Sequence, residues 1–178
     1  MSLNYEEIDF RTTPIGDLTL RRRRAPQFGD RDIYEIKLGD DFLMTSLFHE
    51  AEKQLALLGL AALDREPLDV VVGGLGLGHT AIAALKDKRL TSLVVIDYLE
   101  AVIDWHQKGL VPLGEPLTTD PRCRLIHADF FALSGGPAIL LRKPTYRARS
   151  RSDSCGTPSV SGCAVSRPPS CLCIVSGN

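Results

Sequence analysis

The chain has no apolar run approaching the roughly 18 to 20 residues that cross a bilayer. Its opening stretch, with Glu6, Glu7 and Asp9, lacks the charged-then-apolar pattern of a signal peptide. The expectation is a cytoplasmic protein with no membrane partner. Nor does one sign of charge dominate: 21 Lys+Arg stand against 22 Asp+Glu, a formal net charge of −1, which argues against a general nucleic-acid binder. There is no C-x-x-C pair among the five cysteines, and His49, His79, His106 and His127 show no metal-ligand spacing. Zinc is therefore not expected, and a disulfide framework would conflict with a cytosolic setting. What is present suits a globular fold. The 178 residues are 44% hydrophobic and 24% charged, enough for one domain with a real core and a small appendage.

The even charge balance hides a division near Ser134. Residues 1–133 carry 15 Lys+Arg against 21 Asp+Glu, whereas residues 134–178 carry six against one. The second segment also holds four of the five cysteines (Cys155, Cys163, Cys171, Cys173), is dense in Ser, Pro, Gly and Arg, and shows no periodicity after Leu141. We read three parts: residues 1–62, 63–133, and an atypical basic tail over 134–178.

In the first part, apolar residues alternate as in short strands. Ile8 and Phe10 precede a turn at Pro14 to Asp17; Leu18 and Leu20, then Ile33 to Leu38, follow, which predicts small antiparallel hairpins. After a turn at Gly39-Asp40-Asp41 and the apolar Phe42-Leu43-Met44, Thr45 or Ser46 is placed to cap a helix. Its expected apolar face is Leu47, Ala51, Leu55 and Leu58, with Gly59 near its end. From Leu68 the rhythm becomes strand, helix, strand: strands at Asp69 to Val72, Leu93 to Ile96 and Arg124 to His127, with helices over His79 to Leu85 and about Leu99 to Lys108. Alternation of this kind implies an α/β fold with a parallel sheet and right-handed crossovers, preceded by the N-terminal β-hairpin region.

Ligands of such sheets collect beyond the carboxyl ends of the strands, where three features of this sequence fall together. The first is the turn Gly73-Gly74-Leu75-Gly76-Leu77-Gly78, whose glycines allow a sharp bend and close backbone approach to a ligand. Its spacing departs from G-x-G-x-x-G, because His79 stands where that dinucleotide fingerprint has its last glycine. The second is Asp97, 19 positions beyond Gly78 and at the end of the next strand, where a carboxylate accepts hydrogen bonds from ribose hydroxyls. Capping the following helix is its other reading, and the two roles are compatible. The third is Asp129, closing the next strand, a candidate acceptor for an adenine amino group or else a solvated loop carboxylate. Arg21 to Arg24 read as a solvated face rather than a phosphate patch. Trp105 and His106 read as packing residues.

The run Asp120-Pro121-Arg122-Cys123-Arg124-Leu125-Ile126-His127-Ala128-Asp129-Phe130-Phe131 resembles the "DPRV.L..GDGF" segment of spermidine synthases. Val94-Val95-Ile96-Asp97 with Val102-Ile103 is similar to their "VEID..VI" spacing, with Asp97 in place of a Glu. Phe48-His49-Glu50 is similar to their "Y-H-E" stretch. The resemblance covers about residues 5–133, and class I S-adenosylmethionine-dependent methyltransferases share that core. It implies a pocket for decarboxylated S-adenosylmethionine or S-adenosylmethionine itself, with Gly73, Gly74, Gly76 and Gly78 against the ligand's aminopropyl or amino-acid end. Asp97 would hold the ribose and Asp129 the adenine. No metal is implied. The implied acceptor is a small-molecule amine, and a homodimer is the implied assembly for a complete fold.

Two departures limit what is implied. The Asp that the family carries between its loop glycines is replaced by apolar Leu75 or Leu77. The "D.I..D" pattern expected at the fourth strand, whose last Asp acts on the attacking amine, gives way to Pro137 to Leu141 followed by Arg142-Lys143-Pro144. The catalytic aspartate is therefore unassigned, and the Rossmann-like part reads as incomplete. Two origins account for the tail: a shifted reading frame or truncated gene, or a genuine disordered interaction segment. Loss of the later strands would leave one edge of the sheet unpaired, which predicts marginal stability. A methyltransferase and a non-enzymatic nucleotide-binding protein are the alternative functions.

Overall fold

A computed structural model of the chain describes residues 5–134 and 171–175. The first four strands, β1 (Tyr5–Thr13), β2 (Gly16–Ala25), β3 (Arg31–Leu38) and β4 (Asp41–Thr45), form an antiparallel meander in the order β1-β2-β3-β4, as the alternation predicts. Opposed pairs on one face, Leu18 with Leu38 and Leu20 with Ile36, turn toward the rest of the protein, and Leu18, Leu20 and Ile36 are buried. On the other face Glu35 is buried to 2% exposure between two guanidiniums, accepting from Arg21 Nε at 2.6 Å and Arg23 Nε at 2.7 Å. A carboxylate removed from water is tolerated only with such partners. Arg22 pairs with Glu6 and Arg24 with Asp32 on the opposite face, so the arginine run is ion-paired on both sides of the sheet.

The second sheet is parallel and contains β5 (Leu68–Gly73), β6 (Leu90–Asp97), β7 (Cys123–His127) and β8 (Cys171–Val175) in the order β7-β6-β5-β8. The three strands foreseen from the apolar runs are β5 to β7. The fourth is not legible in the sequence: β8 comes from the basic tail and pairs with β5 from Asp69↔Cys171 to Gly73↔Val175, so the edge of β5 expected to stand open carries a strand. Pro137 to Leu141, where the fourth strand was anticipated, lie outside the described residues, as do Cys155 and Cys163.

Side chains leave the parallel strands on alternating sides. Val70, Val72, Leu93 and Val95 join Leu18, Leu20 and Ile36 of the meander and Val102 and Trp105 in one core, while Val71, Val94, Ile96 and Phe130 pack on the opposite face. The helices are α1 (Glu50–Ala61), α2 (His79–Leu85), α3 (Glu100–Gln107), α4 (Gly114–Thr119) and α5 (Phe130–Ser134). Trp105, fully buried on α3, donates its indole N–H to Asp9 Oδ2 at 2.7 Å and so ties the meander to the parallel sheet.

Helix α1 departs from expectation. It begins at Glu50 with His49 at the N-cap, not with Thr45 or Ser46: Ser46 Oγ accepts the Tyr34 N–H and Thr45 Oγ1 that of Leu47. Gly59 lies within the helix, which continues to Ala61. Its buried residues are Ala56 and Leu60, while Leu55, Leu57 and Leu58 are exposed. A leucine-rich helix offers two apolar faces, and packing against α2 selects the narrower one. Helix α4 was not foreseen. Gly114 permits it, since a Cβ there would lie 2.6 Å from the His106 carbonyl oxygen.

The Asp120-Pro121-Arg122 segment has a structural role. Arg122 donates through its backbone N–H and Nε to Asp120 Oδ1 and through Nη2 to Oδ2, and Nη2 also reaches the Leu85 carbonyl at the end of α2. Asp87 and Arg89 repeat the arrangement one strand earlier, with Arg89 reaching the Leu60 carbonyl in the last turn of α1. Each pair sits just before a parallel strand and satisfies carbonyls that a helix end leaves open.

Candidate functional site

Strand β5 stops at Gly73 because the chain must turn away from the sheet there. Gly74, Gly76 and Gly78 adopt φ of +91°, +49° and +88°, which a side chain would strain. The Gly74 N–H donates to the Ile96 carbonyl at 2.8 Å, which holds the turn against β6. Leu75 and Leu77 point into the core at 5% and 2% exposure.

Asp97 closes β6 and is the keystone of the turn. Its Oδ2 accepts the Leu75 N–H at 2.7 Å and its Oδ1 the Leu99 N–H at 2.8 Å, and the residue is 9% exposed. One carboxylate thus fastens the glycine turn to the start of α3. Asp129, at the neighbouring strand end, is exposed and caps α5: its Oδ1 accepts from Phe131 N–H at 2.8 Å and Ala132 N–H at 3.1 Å. The strand ends are knit together by the Ala128 N–H, which donates to the Asp97 carbonyl.

These ends enclose a cavity of about 470 Å³, a size usual for small-ligand sites. Gly73, Gly74, Gly76, Asp97 and Asp129 all line it, so five of the six residues singled out in the sequence meet in one place. Gly78 does not: it precedes α2, where a Cβ would lie 2.6 Å from Leu117 Cδ1 and 3.1 Å from His106 Nε2, and it serves packing. Ile36, Leu43 and Met44 of the meander close the other wall, with Tyr98, Phe130 and Phe131 beside the two carboxylates. Among the described residues, the lining holds two acids and no basic side chain.

Sequence reasoning missed two residues of this wall. A Cβ at Gly73 would lie 2.8 Å from the Phe130 ring, and one at Gly76 2.4 Å from Met44 Sδ and Cε, so both glycines admit another side chain of the same protein. Met44 Sδ also accepts the Leu77 N–H at 3.0 Å. The pattern Phe42-Leu43-Met44 announces a strand; nothing in it announces where the thioether goes.

Beyond the cavity, His79 stacks on His49 with ring centroids 4.2 Å apart. Burial pushes the His79 imidazole down to about 4, helped by the neighbouring His49 and Lys53 charges. His106, 1% exposed, is also pushed down by burial, against the pull of the Val102 and Leu77 carbonyls. Burial raises the Cys123 thiol to about 11, so it is not a ready nucleophile. No cluster of three or more metal-ligating side chains occurs among the described residues, and no helix among them is long and apolar enough to cross a membrane.

A parallel sheet with a glycine turn after one strand and an acid closing the next defines a Rossmann-like α/β fold. Within that type the fold is spermidine synthase-like. The structure of spermidine synthase from Thermotoga maritima matches with a TM-score of 0.55 and 19% identity, over 69% of this chain and 40% of that one. A spermidine synthase in complex with the transition-state analogue AdoDATO matches with a TM-score of 0.56 and 20% identity, over 69% and 41%. The chain thus spans about two fifths of the length of these structures. No protein-family model and no curated protein matches it.

Proposed function

We propose that the chain binds an adenosyl sulfonium compound, decarboxylated S-adenosylmethionine or S-adenosylmethionine, in the cavity at the strand ends. The observation that carries this reading is the convergence of Gly73, Gly74, Gly76, Asp97 and Asp129 on one cavity of about 470 Å³. The residues fit the group. Each Asp97 oxygen receives one backbone N–H and retains a lone pair for a ribose hydroxyl. Asp129 and the rings of Phe130 and Phe131 suit a nucleobase with an exocyclic amino group, and two acids without a base favour a cation. In this reading residues 1–62 supply the outer wall, residues 63–133 the nucleotide-binding core, and residues 134–178 an appended tail, in a cytoplasmic protein.

The chemistry ancestral to such a site is aminopropyl transfer to a polyamine by displacement at the sulfonium-bound carbon. An amine attacks only when uncharged, so a base must take its proton and hold it in line. The two carboxylates of the cavity are bound to backbone N–H groups, and the strand beside β5, where the family's acting Asp is expected to follow, is Cys171–Val175, which contains no acid. We therefore propose that catalysis is impaired while binding persists. Titration calorimetry with the two sulfonium compounds, paired with an assay for released methylthioadenosine, tests both halves. Saturable binding with little release is expected; a folded protein that binds neither compound refutes the reading. The core-facing Leu75 and Leu77 leave the turn without a carboxylate for an aminopropyl amine, which favours S-adenosylmethionine and a methyltransferase as the second reading. Formation of S-adenosylhomocysteine with an acceptor would establish it, and binding with no turnover of either kind would mark a non-enzymatic binder.

A further inference from the structure

We infer that Met44 is a specificity-determining residue that occupies the glycine-turn end of the cavity and sets which substituent a ligand's sulfur carries there. This rests on the adenosyl-ligand reading above. The turn gives up side chains at its glycines and so creates room for close approach, yet at Gly76 that room is already filled. Met44 Sδ and Cε both lie 2.4 Å from where a Cβ would stand. The contact is anchored, since Sδ accepts the Leu77 N–H at 3.0 Å. The same methionine lines the cavity with Gly73, Gly74 and Gly76, so it lies between the turn and any ligand that reaches for it.

Two consequences follow from the chemistry of the side chain. Methionine is unbranched and flexible, and its thioether is a weak acceptor, so a ligand chain displaces it at modest cost. A nucleoside with only a methyl group on its 5′-sulfur uses the Asp97 and Asp129 end and leaves Met44 in place. A sulfonium bearing a three-carbon aminopropyl chain must move Met44 off Gly76 and Leu77. Met44 therefore penalises the aminopropyl chain relative to the methyl group, and this discrimination resides in one residue of β4, outside the parallel sheet.

The test compares 5′-methylthioadenosine with decarboxylated S-adenosylmethionine on the full chain and on Met44→Ala. Removing the side chain is expected to tighten the long-chain ligand about tenfold relative to the short one, the scale of one lost hydrogen bond and its packing. A second measurement does not depend on a variant. The sequence contains two methionines, Met1 and Met44, so the ε-methyl carbon resonance of Met44 is readily assigned. Decarboxylated S-adenosylmethionine should move that resonance toward a solvent-exposed position, and 5′-methylthioadenosine should not. Binding of both ligands with an unchanged affinity ratio in Met44→Ala, or a Met44 resonance that responds to both alike, overturns the inference and leaves the adenosyl reading standing. Failure of both ligands to bind the folded protein removes both.

Discussion

Replacing Asp97 by Asn tests the keystone of the site with almost no change of volume. In the native protein both oxygens accept backbone N–H groups, from Leu75 at 2.7 Å and Leu99 at 2.8 Å, in a residue only 9% exposed. An Asn side chain offers one oxygen. Its amide nitrogen, a donor, must face the other N–H, so one bond is lost and one buried donor is left without a partner. Hydrogen bonds to charged groups contribute about 1.5–3 kcal/mol each, and an orphaned buried group costs about 1–3 kcal/mol. Asp97→Asn is therefore expected to destabilise the fold by about 2–3 kcal/mol and Asp97→Ala, which orphans both donors, by about 3–5 kcal/mol. Against the ~5–15 kcal/mol typical of a whole domain this is severe. Urea unfolding followed by far-ultraviolet circular dichroism reads the difference as a lower midpoint at constant slope. An unfolding free energy for Asp97→Asn within about 0.5 kcal/mol of the native one would show that the turn does not depend on this carboxylate. The structural half of the argument would then fail even if ribose binding were lost.

Four further outcomes are expected. Gly76→Ala places a Cβ 2.4 Å from Met44 at a positive φ and should cost about 1–3 kcal/mol; adding Met44→Ala recovers the steric part but not the backbone part, and strictly additive effects in a double-mutant cycle would refute the contact. Because the His79 imidazole is held down at about 4 while the unfolded chain protonates near 6.5, the unfolded state takes up the proton first. Stability is thus lost as pH falls from about 6.5 toward 4, by roughly 1–2 kcal/mol once solvent screening of this half-buried ring is allowed for; His79→Gln should flatten unfolding midpoints over that window, and an unchanged slope would count against it. Glu35→Gln leaves the Arg21 and Arg23 guanidiniums without their shared carboxylate and should cost about 3 kcal/mol, measured by thermal unfolding; an unchanged midpoint would show that the pair contributes nothing. Sequencing the coding DNA across codon 134 should reveal, in another frame, a strand ending in Asp followed by further strand–helix units; their absence from both alternate frames would leave the tail a genuine segment.

The parts of this fold legible in the sequence are those whose reasons are local. Val70-Val71-Val72 and Leu93 to Ile96 are apolar on both faces because both faces of a parallel sheet are covered, and Gly74, Gly76 and Gly78 announce a turn because the positive φ values found there favour glycine. Asp97 could be placed because it ends a strand; Asp129 does not close β7, which stops at His127, but caps α5 two residues later. Parts whose reasons lie elsewhere in the chain were hidden. Leu58 fits the helical period as well as Leu60 does, and only the position of α2 decides that Leu60 is buried. Cys171 to Val175 become a strand because β5 offers an edge, a fact about residues a hundred positions earlier. Met44 reads as one apolar strand residue among three; its role comes from the turn that folds over it.

The bond from Trp105 to Asp9 gives the protein an optical reporter. Trp105 is the single tryptophan of the chain, and its indole is fully buried where α3 meets β1. Ile36, Leu43 and Met44 belong to the meander and Gly73 and Asp97 to the parallel sheet, with Asp129 just beyond β7, so the cavity exists only while the two sheets are docked. Light emitted by one side chain therefore reports on both. A red shift of that emission registers water reaching the seam between the sheets, and with it the loss of one wall of the ligand cavity.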